Sequence, residues 1–450
     1  MGAMPTASQS AGVVSFEQAQ GIVREYCRRI PAPLAQEITL MNALGRVLAE
    51  PVRADRDFPP FPRSTRDGFA VRAADVVKVP AVLRVVGLIK AGGSFDRKLA
   101  AGEAVEIMTG AAVPAGADAV VMLEQTAPRE GTAREASQVE VLKPAAAGEN
   151  VVAAGSEAKA GQEILPRGTR LSPAQIAMAA GAGQARVKVF ARPRIAILST
   201  GDELVEVAET PGPMQIRNSN SYSLSAQVEA AGAEPMRLPI APDEPRKLAD
   251  LVHAGLSADM LLVSGGVSMG KFDLVEAVLK NMNAEFFFTG AQIQPGRPVV
   301  FGQVTLSSEG KGFSEARKPL DNMGTHPGQH PLKRFGGTIP FFGLPGNPIS
   351  AMVCFDLFAR AILDALSGSA PQRLPAARAR LKKDIKTRTG LTRFLPAVLQ
   401  GGIFDPEVEA VVWQGSGDLA ASAQANCYVV VPADRDSIAA GEMVSVLMRS

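Results

Sequence analysis

The sequence predicts a multidomain α/β protein: a doubly wound, mostly parallel sheet domain, a small β domain and a C-terminal β domain. Three observations predict it. Residues 192–370 alternate short, continuous apolar runs with helical patterns, residues 57–144 break into β-type runs between Gly, Pro and Asp turns, and residues 371–450 return to β-type runs. At 450 residues the chain is also too long for one ordinary core.

The first predicted element is a helix over 15–30. Ser15 and Gln18 are spaced for a capping box, and Phe16, Ala19, Val23, Tyr26, Cys27 and Ile30 make one apolar stripe. A Pro-rich stretch over 57–68 leads into the small β domain, with strand candidates at 81–86, 119–122 and 138–142. Farther on, 195–198 and 260–263 are apolar throughout, as strands buried on both faces are. Helical patterns at 222–232 and 244–256 lie between them, with a strand candidate near 235–240, and this β-α-β-α-β order implies a parallel sheet. Residues 305–338 are rich in Gly, Ser, Lys and Pro without periodicity and read as a surface insertion. A strand at 339–342 leads into a helix with Asn347 as N-cap and Pro348 in its first turn. Its stripe is Ala351, Met352, Phe355, Ile362 and Leu363, and Gly368 stops it. The last strand candidates are 428–431 and 443–448.

Composition excludes several classes. Hydrophobic residues are 46% and charged residues 20%, which rules out a wholly disordered chain. A formal net charge of +2 gives no push toward nucleic acid or a membrane surface, so neither is expected as a partner, and an anionic ligand would need a local basic site. The three cysteines, Cys27, Cys354 and Cys427, are too widely spaced for a disulfide framework or a CxxC metal site and fit a reducing compartment. No secretory signal is visible and no apolar run reaches the ~20 residues that span a bilayer, so a cytoplasmic location is expected. Three histidines, His253, His326 and His330, leave little scope for His-based catalysis.

Three loops follow predicted strands and precede predicted helices, where open α/β sheets bind ligands. The first is Ser199-Thr-Gly-Asp-Glu203, the second runs from Ser264 to Asp273, and the third from Gly343 to Ser350. Small residues let backbone N–H groups approach an anion, and a helix N-terminus behind them adds a favourable dipole. Gly265 and Gly266 offer a backbone nest, while Ser264, Ser268 and Ser350 offer hydroxyl donors. The run Gln294-Pro-Gly-Arg297 supplies a cation, Arg297, whose fork suits an oxyanion. Asp202, Glu203, Asp243 and Asp273 are the hard oxygen ligands that Mg2+ requires beside a phosphate. Plainer readings stay open at this point. Asp202 and Asp243 suit helix caps, Asp273 an exposed first-turn acid, Arg297 a surface ion pair, and Pro345 and Pro348 rigid turns. Trp413 suits a core or interface, and Cys27 and Cys354 suit buried apolar positions.

Eight ordered motifs resemble the molybdopterin-binding MoeA family and the related E domain of gephyrin. They are Ser64 to Arg72, Ile107-Met-Thr-Gly110, Ala119-Val-Val-Met122, Gly148-Glu-Asn-Val151, Leu198 to Leu204, Ser264-Gly-Gly-Val-Ser268, Gly343 to Pro348 and Gly415-Ser-Gly-Asp418, and the resemblance covers roughly residues 15–448. It implies four domains: an N-terminal α/β linker domain of 11–56 with 145–190, a small β domain of 57–144, a molybdopterin-binding α/β domain of 191–370 and a C-terminal β domain of 371–450. It also implies a cytoplasmic homodimer, with the cleft between the α/β domain of one subunit and the small β domain of the other.

The activity implied is that of a molybdopterin molybdenumtransferase. Adenylylated molybdopterin and molybdate bind, the pyrophosphate is hydrolysed with Mg2+, AMP leaves and molybdenum enters the dithiolene. The molybdopterin adenylyltransferase is a further protein partner to consider. Carried onto this chain, the catalytic residues are Asp67, Thr109, Glu157, Glu203, Asp243 and Asp273, with Asp243 and Asp273 on the metal. Substrate contacts fall to Ser199, Thr200, Gly201, Ser264, Gly265, Gly266, Ser268, Arg297, Pro298, Pro345, Asn347, Pro348, Ser350 and Ser416. Glu157, Gln294 and Asn218 stand where relatives often have Asp, Lys and Asp. Two rival readings are an adenylyltransferase, against which the flanking domains argue, and a gephyrin-like scaffold, whose fused partner domain and long linker are missing here.

Overall fold

Side-chain alternation decides the architecture of the central sheet. Strand Arg194–Ser199 sends Ile195 and Ile197 to one face and Ala196 and Leu198 to the other, all four buried. Strand Met260–Ser264 repeats the pattern, with Met260 and Leu262 on the first face and Leu261 and Val263 on the second. Leu224 and Val228 of helix Ser219–Ala230 cover the first face together with Ile349, Val353 and Ile362. Leu248 and Val252 of helix Pro245–Gly255, with Val275 and Leu279 of helix Phe272–Asn281, cover the second. Two apolar faces demand two covering layers, and the sheet is doubly wound.

The strand order is Glu234–Arg237, Arg194–Ser199, Met260–Ser264, Thr338–Leu344, Val300–Thr305, Ala284–Phe288. The first four are parallel, and the last two join antiparallel. From Arg194–Ser199 the chain first winds outward to Glu234–Arg237 and then back past its start to Met260–Ser264. Winding therefore reverses between Arg194–Ser199 and Met260–Ser264, and beyond the carboxyl ends of such neighbouring strands open α/β sheets form their ligand crevice.

This computed structural model describes residues 12–129, 137–265, 272–306, 337–371 and 374–449. They form two units, one of residues 39–44 and 50–187 and the other of the remainder. Besides the central sheet, the larger unit contains a barrel of strands Thr392–Gly401, Pro406–Ala410, Ala376–Leu381, Met443–Met448 and Cys427–Val431. It closes because Cys427–Val431 pairs back onto Thr392–Gly401, which leaves no free edge. Helix Phe16–Cys27 has the predicted capping box, ends earlier than the predicted 30, and lays Tyr26 edge-on against Phe301 at 5.2 Å. The smaller unit carries a six-stranded mixed sheet in the order Ala119–Met122, Gly68–Val71, Glu103–Ile107, Ala81–Ile89, Gln138–Val141, Thr126–Arg129.

Three expectations are corrected. The first loop does not run straight into a helix: a two-residue parallel pair, Leu204–Val205 with Ile216–Arg217, intervenes, so no helix dipole stands directly behind it. The helix starting at Pro348 is interrupted by a π turn at Phe355–Ala359 and is buried all round from Ile349 to Ala359, so no single stripe exists. Asn347 holds the N-cap position without a side-chain capping bond. Most of the expected 305–338 insertion lies outside the described residues. Among those described, no helix is long and apolar enough to cross a membrane.

Leu262 packs between the sheet and its first covering layer, fully buried. Leu262→Ala should destabilise the larger unit by about 2–5 kcal/mol in chemical denaturation. A loss under about 1 kcal/mol would contradict its placement in the core.

Candidate functional site

Register brings the three loops level. Ser199 lies opposite Ser264, and Ser264 opposite Leu344, so three neighbouring strands end together. Beyond them Thr200 N donates to Ser264 O at 3.0 Å, and Gly265 N donates to Leu344 O at 3.2 Å. Gly265 has φ +92°, and a Cβ there would stand 2.5 Å from the Thr200 carbonyl oxygen. A Cβ on Gly346 would lie 3.5 Å from Gly265 Cα. First, second and third loops thus touch through backbone. The Gly265 N–H, which the sequence offered to an anion, is instead spent on Leu344.

Two asparagines fasten this edge. Asn218 caps helix Ser219–Ala230 by accepting from Ser221 N at 3.2 Å, and it also accepts from Ser199 Oγ at 3.0 Å. Asn220 Nδ2 donates to Ser264 Oγ and to Gly346 O, both at 2.8 Å. Thr200 Oγ1, Asn218 Nδ2 and Asn220 Oδ1 are buried without a hydrogen-bond partner among the described residues. Each such atom costs about 1–3 kcal/mol, so the edge holds unspent polar capacity. Neither asparagine was among the predicted site residues. The legible signal was the run Arg217-Asn-Ser-Asn220 just ahead of a helical pattern, which is a cap signature.

Carboxylates gather beside the loops. A Cβ on Gly201 would meet Glu203 Oε2 at 2.7 Å, so the Glu203 carboxylate lies over the first loop. Asp202 Oδ1 accepts from Asp243 N at 3.0 Å and caps no helix. The N-cap of helix Pro245–Gly255 is Glu244, not Asp243. Asp273 belongs to helix Phe272–Asn281, and Gly266 and Ser268 lie outside the described residues.

The third loop is held from the barrel. Asn347 Nδ2 donates to Ser416 Oγ at 2.8 Å, and Ile349 N donates to Ser416 O at 3.1 Å. Pro345 and Ser350 are buried, and Pro348 opens the helix. The Arg297 loop rests on that helix, because a Cβ on Gly296 would lie 3.6 Å from Ser350 O. Arg297 and Pro298 are exposed, and the Arg297 guanidinium has no ion pair with the described residues. Gln294 Oε1 accepts from Arg393 Nε at 2.9 Å, where Arg393 is a buried cation supplied by the barrel.

In the smaller unit, Asp67 Oδ1 accepts from Thr109 N at 2.7 Å and from Thr109 Oγ1 at 2.9 Å. The backbone donor first, then the hydroxyl, holds the Asp67 carboxyl below the usual range. Glu157 Oε1 accepts from Arg63 Nη2 at 2.9 Å. Ser64, next to Arg63, accepts from Gly110 N at 2.8 Å, so the two pairs are neighbours through one short strand.

Comparison with known proteins is decisive for the family. The MoeA N-terminal region (domain I and II) matches residues 14–183, a probable molybdopterin binding domain matches 196–365, and the MoeA C-terminal region (domain IV) matches 378–448. A molybdopterin molybdenumtransferase of Nostoc sp. is 34% identical over 420 residues, covering 91% of this chain and 88% of its own. That of Bacillus subtilis is 32% identical over 95% of this chain and 92% of its own. The chain belongs to the MoeA family. The crystal structure of the molybdopterin biosynthesis MoeA protein from Pyrococcus horikoshii OT3 covers 97% of this chain and 100% of its own, with TM-score 0.72 at 26% identity. A second MoeA crystal structure from Pyrococcus gives TM-score 0.65 at 30% identity, covering 97% of this chain and 99% of its own.

Gln294 holds Arg393, so a positive charge stands beside this loop besides that of Arg297. The cysteines offer no nucleophile: all three are buried and unpaired, and burial pushes Cys27 up to about 12 and Cys427 up to about 11.

Thr109→Val should raise the Asp67 pKa part of the way to the ordinary carboxylate value, since only the hydroxyl donor is removed. The folded pKa is depressed, so this contribution to stability is present above the ordinary Asp pKa and is lost as pH falls through the depressed one. A side-chain NMR titration measures it, and an unchanged Asp67 pKa would break the assignment.

Proposed function

We propose that this chain binds adenylylated molybdopterin and molybdate, hydrolyses the pyrophosphate link, releases AMP and passes molybdenum to the dithiolene. Its family makes it a transferase of molybdenum cofactor biosynthesis. The observation that carries the finer reading is the contact of three strand-end loops at the point where sheet winding reverses. A pyrophosphate laid there meets the exposed backbone of Gly346 and Asn347, just before the helical run that starts at Pro348. Ser199, Thr200, Gly201, Ser264 and Ser350 furnish the polar floor, and Ser416 steadies the third loop.

Roles follow from chemistry. Arg297, an exposed fork without an ion pair among the described residues, holds molybdate against Pro298. Glu203, lying over Gly201, orients the attacking water. That water adds to one phosphorus and the bridging P–O bond breaks, giving AMP and molybdopterin phosphate: one product keeps the bridging oxygen, the other takes the water oxygen, and one water proton goes to each. Asp67, Thr109 and Glu157 are carried as catalytic residues, and the active form is a homodimer.

The acids near this edge are Asp202, whose Oδ1 accepts from Asp243 N, Glu203, whose carboxylate lies over Gly201, and Asp243, and carboxylate oxygens are what Mg2+ takes as ligands. Among the described residues no group of three or more His, Cys, Asp or Glu could hold a metal, so substrate phosphates would have to complete its shell. Asp243 and Asp273 would hold it, and when bound it would neutralise pyrophosphate charge.

Purified protein given adenylylated molybdopterin, molybdate and Mg2+ should release AMP. Asp243→Asn should slow that release by about 100-fold or more with the fold intact. Consumption of ATP with bare molybdopterin and no AMP from the adenylylated substrate would replace this reading with adenylyl transfer. Arg297→Ala should raise the molybdate concentration needed for half-maximal turnover by about tenfold or more. An unchanged molybdate dependence would remove Arg297 from the oxyanion site.

A further inference from the structure

We infer that Asn220 is a positioning residue that clamps the second loop to the third and so sets the width of the crevice. The inference rests on the function proposed above only for its kinetic consequence. Asn220 is 9% exposed, and one nitrogen serves both loops, donating to Ser264 Oγ at 2.8 Å and to Gly346 O at 2.8 Å. A carboxamide nitrogen carries two protons in a rigid plane, so it spans two acceptors that no backbone bond joins. Aspartate lacks the donors and alanine lacks the group.

Helix capping does not explain the residue, because Asn218 is the cap. Asn220 stands instead in the first turn, two residues on, where the helix fixes its Cα. Through Asn218 the same turn also holds Ser199 of the first loop. One helical turn therefore gathers all three loops: Asn218 takes the first, and Asn220 takes the second and third. The clamp acts at short range, since a Cβ on Gly346 would already lie 3.5 Å from Gly265 Cα. Asn220 Oδ1 is buried without a partner among the described residues, so among these the side chain is held by its two donated bonds.

Two measurements on full-length protein test this. Hydrogen exchange by mass spectrometry should show faster exchange, by about tenfold or more, in peptides covering Gly265 and 343–349 of Asn220→Asp and Asn220→Ala. The rest of the central sheet should keep its protection. Turnover measured well below the melting temperature should fall by about tenfold or more, with kcat reduced more than the KM for molybdate. Adding Ser264→Ala to Asn220→Asp should cost less than the sum of the single effects. A merely stabilising residue would lower the melting temperature and leave kcat and loop exchange alone.

Unchanged exchange in both loops of Asn220→Asp overturns the clamp, whatever the enzyme turns over. Faster exchange with kcat within about twofold of wild type overturns its role in positioning. Wild-type protein that releases no AMP sinks the proposed function, while the exchange result still decides on the clamp.

Discussion

Where the winding of the central sheet reverses, the backbone of Gly265 comes against the carbonyl of Thr200 with no space for a side chain between them. That approach depends on strands ending level, with Ser199, Ser264 and Leu344 in register. It depends equally on a residue that tolerates φ +92°. Any side chain at 265 would drive the first and second loops apart, and Gly346 of the third loop rests on the same spot. The crevice is therefore shaped first by backbone, and the side chains that carry chemistry are arranged around it.

Polarity changes abruptly along each strand. Ile195 to Leu198 and Met260 to Val263 are apolar and buried, and each run ends in a buried serine. Burial drives the sheet together, and the serines hand over to polar loops whose atoms must then find partners. Asn218 and Asn220 supply them from the first turn of one helix. Support from the barrel includes Ser416 on the third loop and Arg393 on Gln294. A strand edge capped by a helix turn and braced from the barrel is the kind of support that the proposed orientation of a pyrophosphate needs.

Much of this was legible in the residues. Strands buried on both faces read as unbroken apolar runs, and their alternation between two covering layers follows from a period of two. The capping box at Ser15 and the three loops at strand ends were equally plain. What stayed hidden was short or non-local. The pair Leu204–Val205 with Ile216–Arg217 has only two residues per strand, too few to show a period. The π turn at Phe355–Ala359 leaves no mark in a helix that is buried all round from Ile349 to Ala359. Asp67 and Thr109 are 42 residues apart, so their bonds are invisible to any local pattern and were named only through resemblance. The two hydrogen bonds that Asn220 donates join three segments that meet only after folding.

A crystal structure of the protein with adenylylated molybdopterin, collected on a slowly hydrolysing variant, bears on the central claim most directly. The account predicts the pyrophosphate within hydrogen-bonding reach of Gly346 and Asn347, directly beyond the Gly265–Thr200 contact. Ligand bound instead at the amino ends of the central strands, or on a surface remote from all three loops, would contradict it.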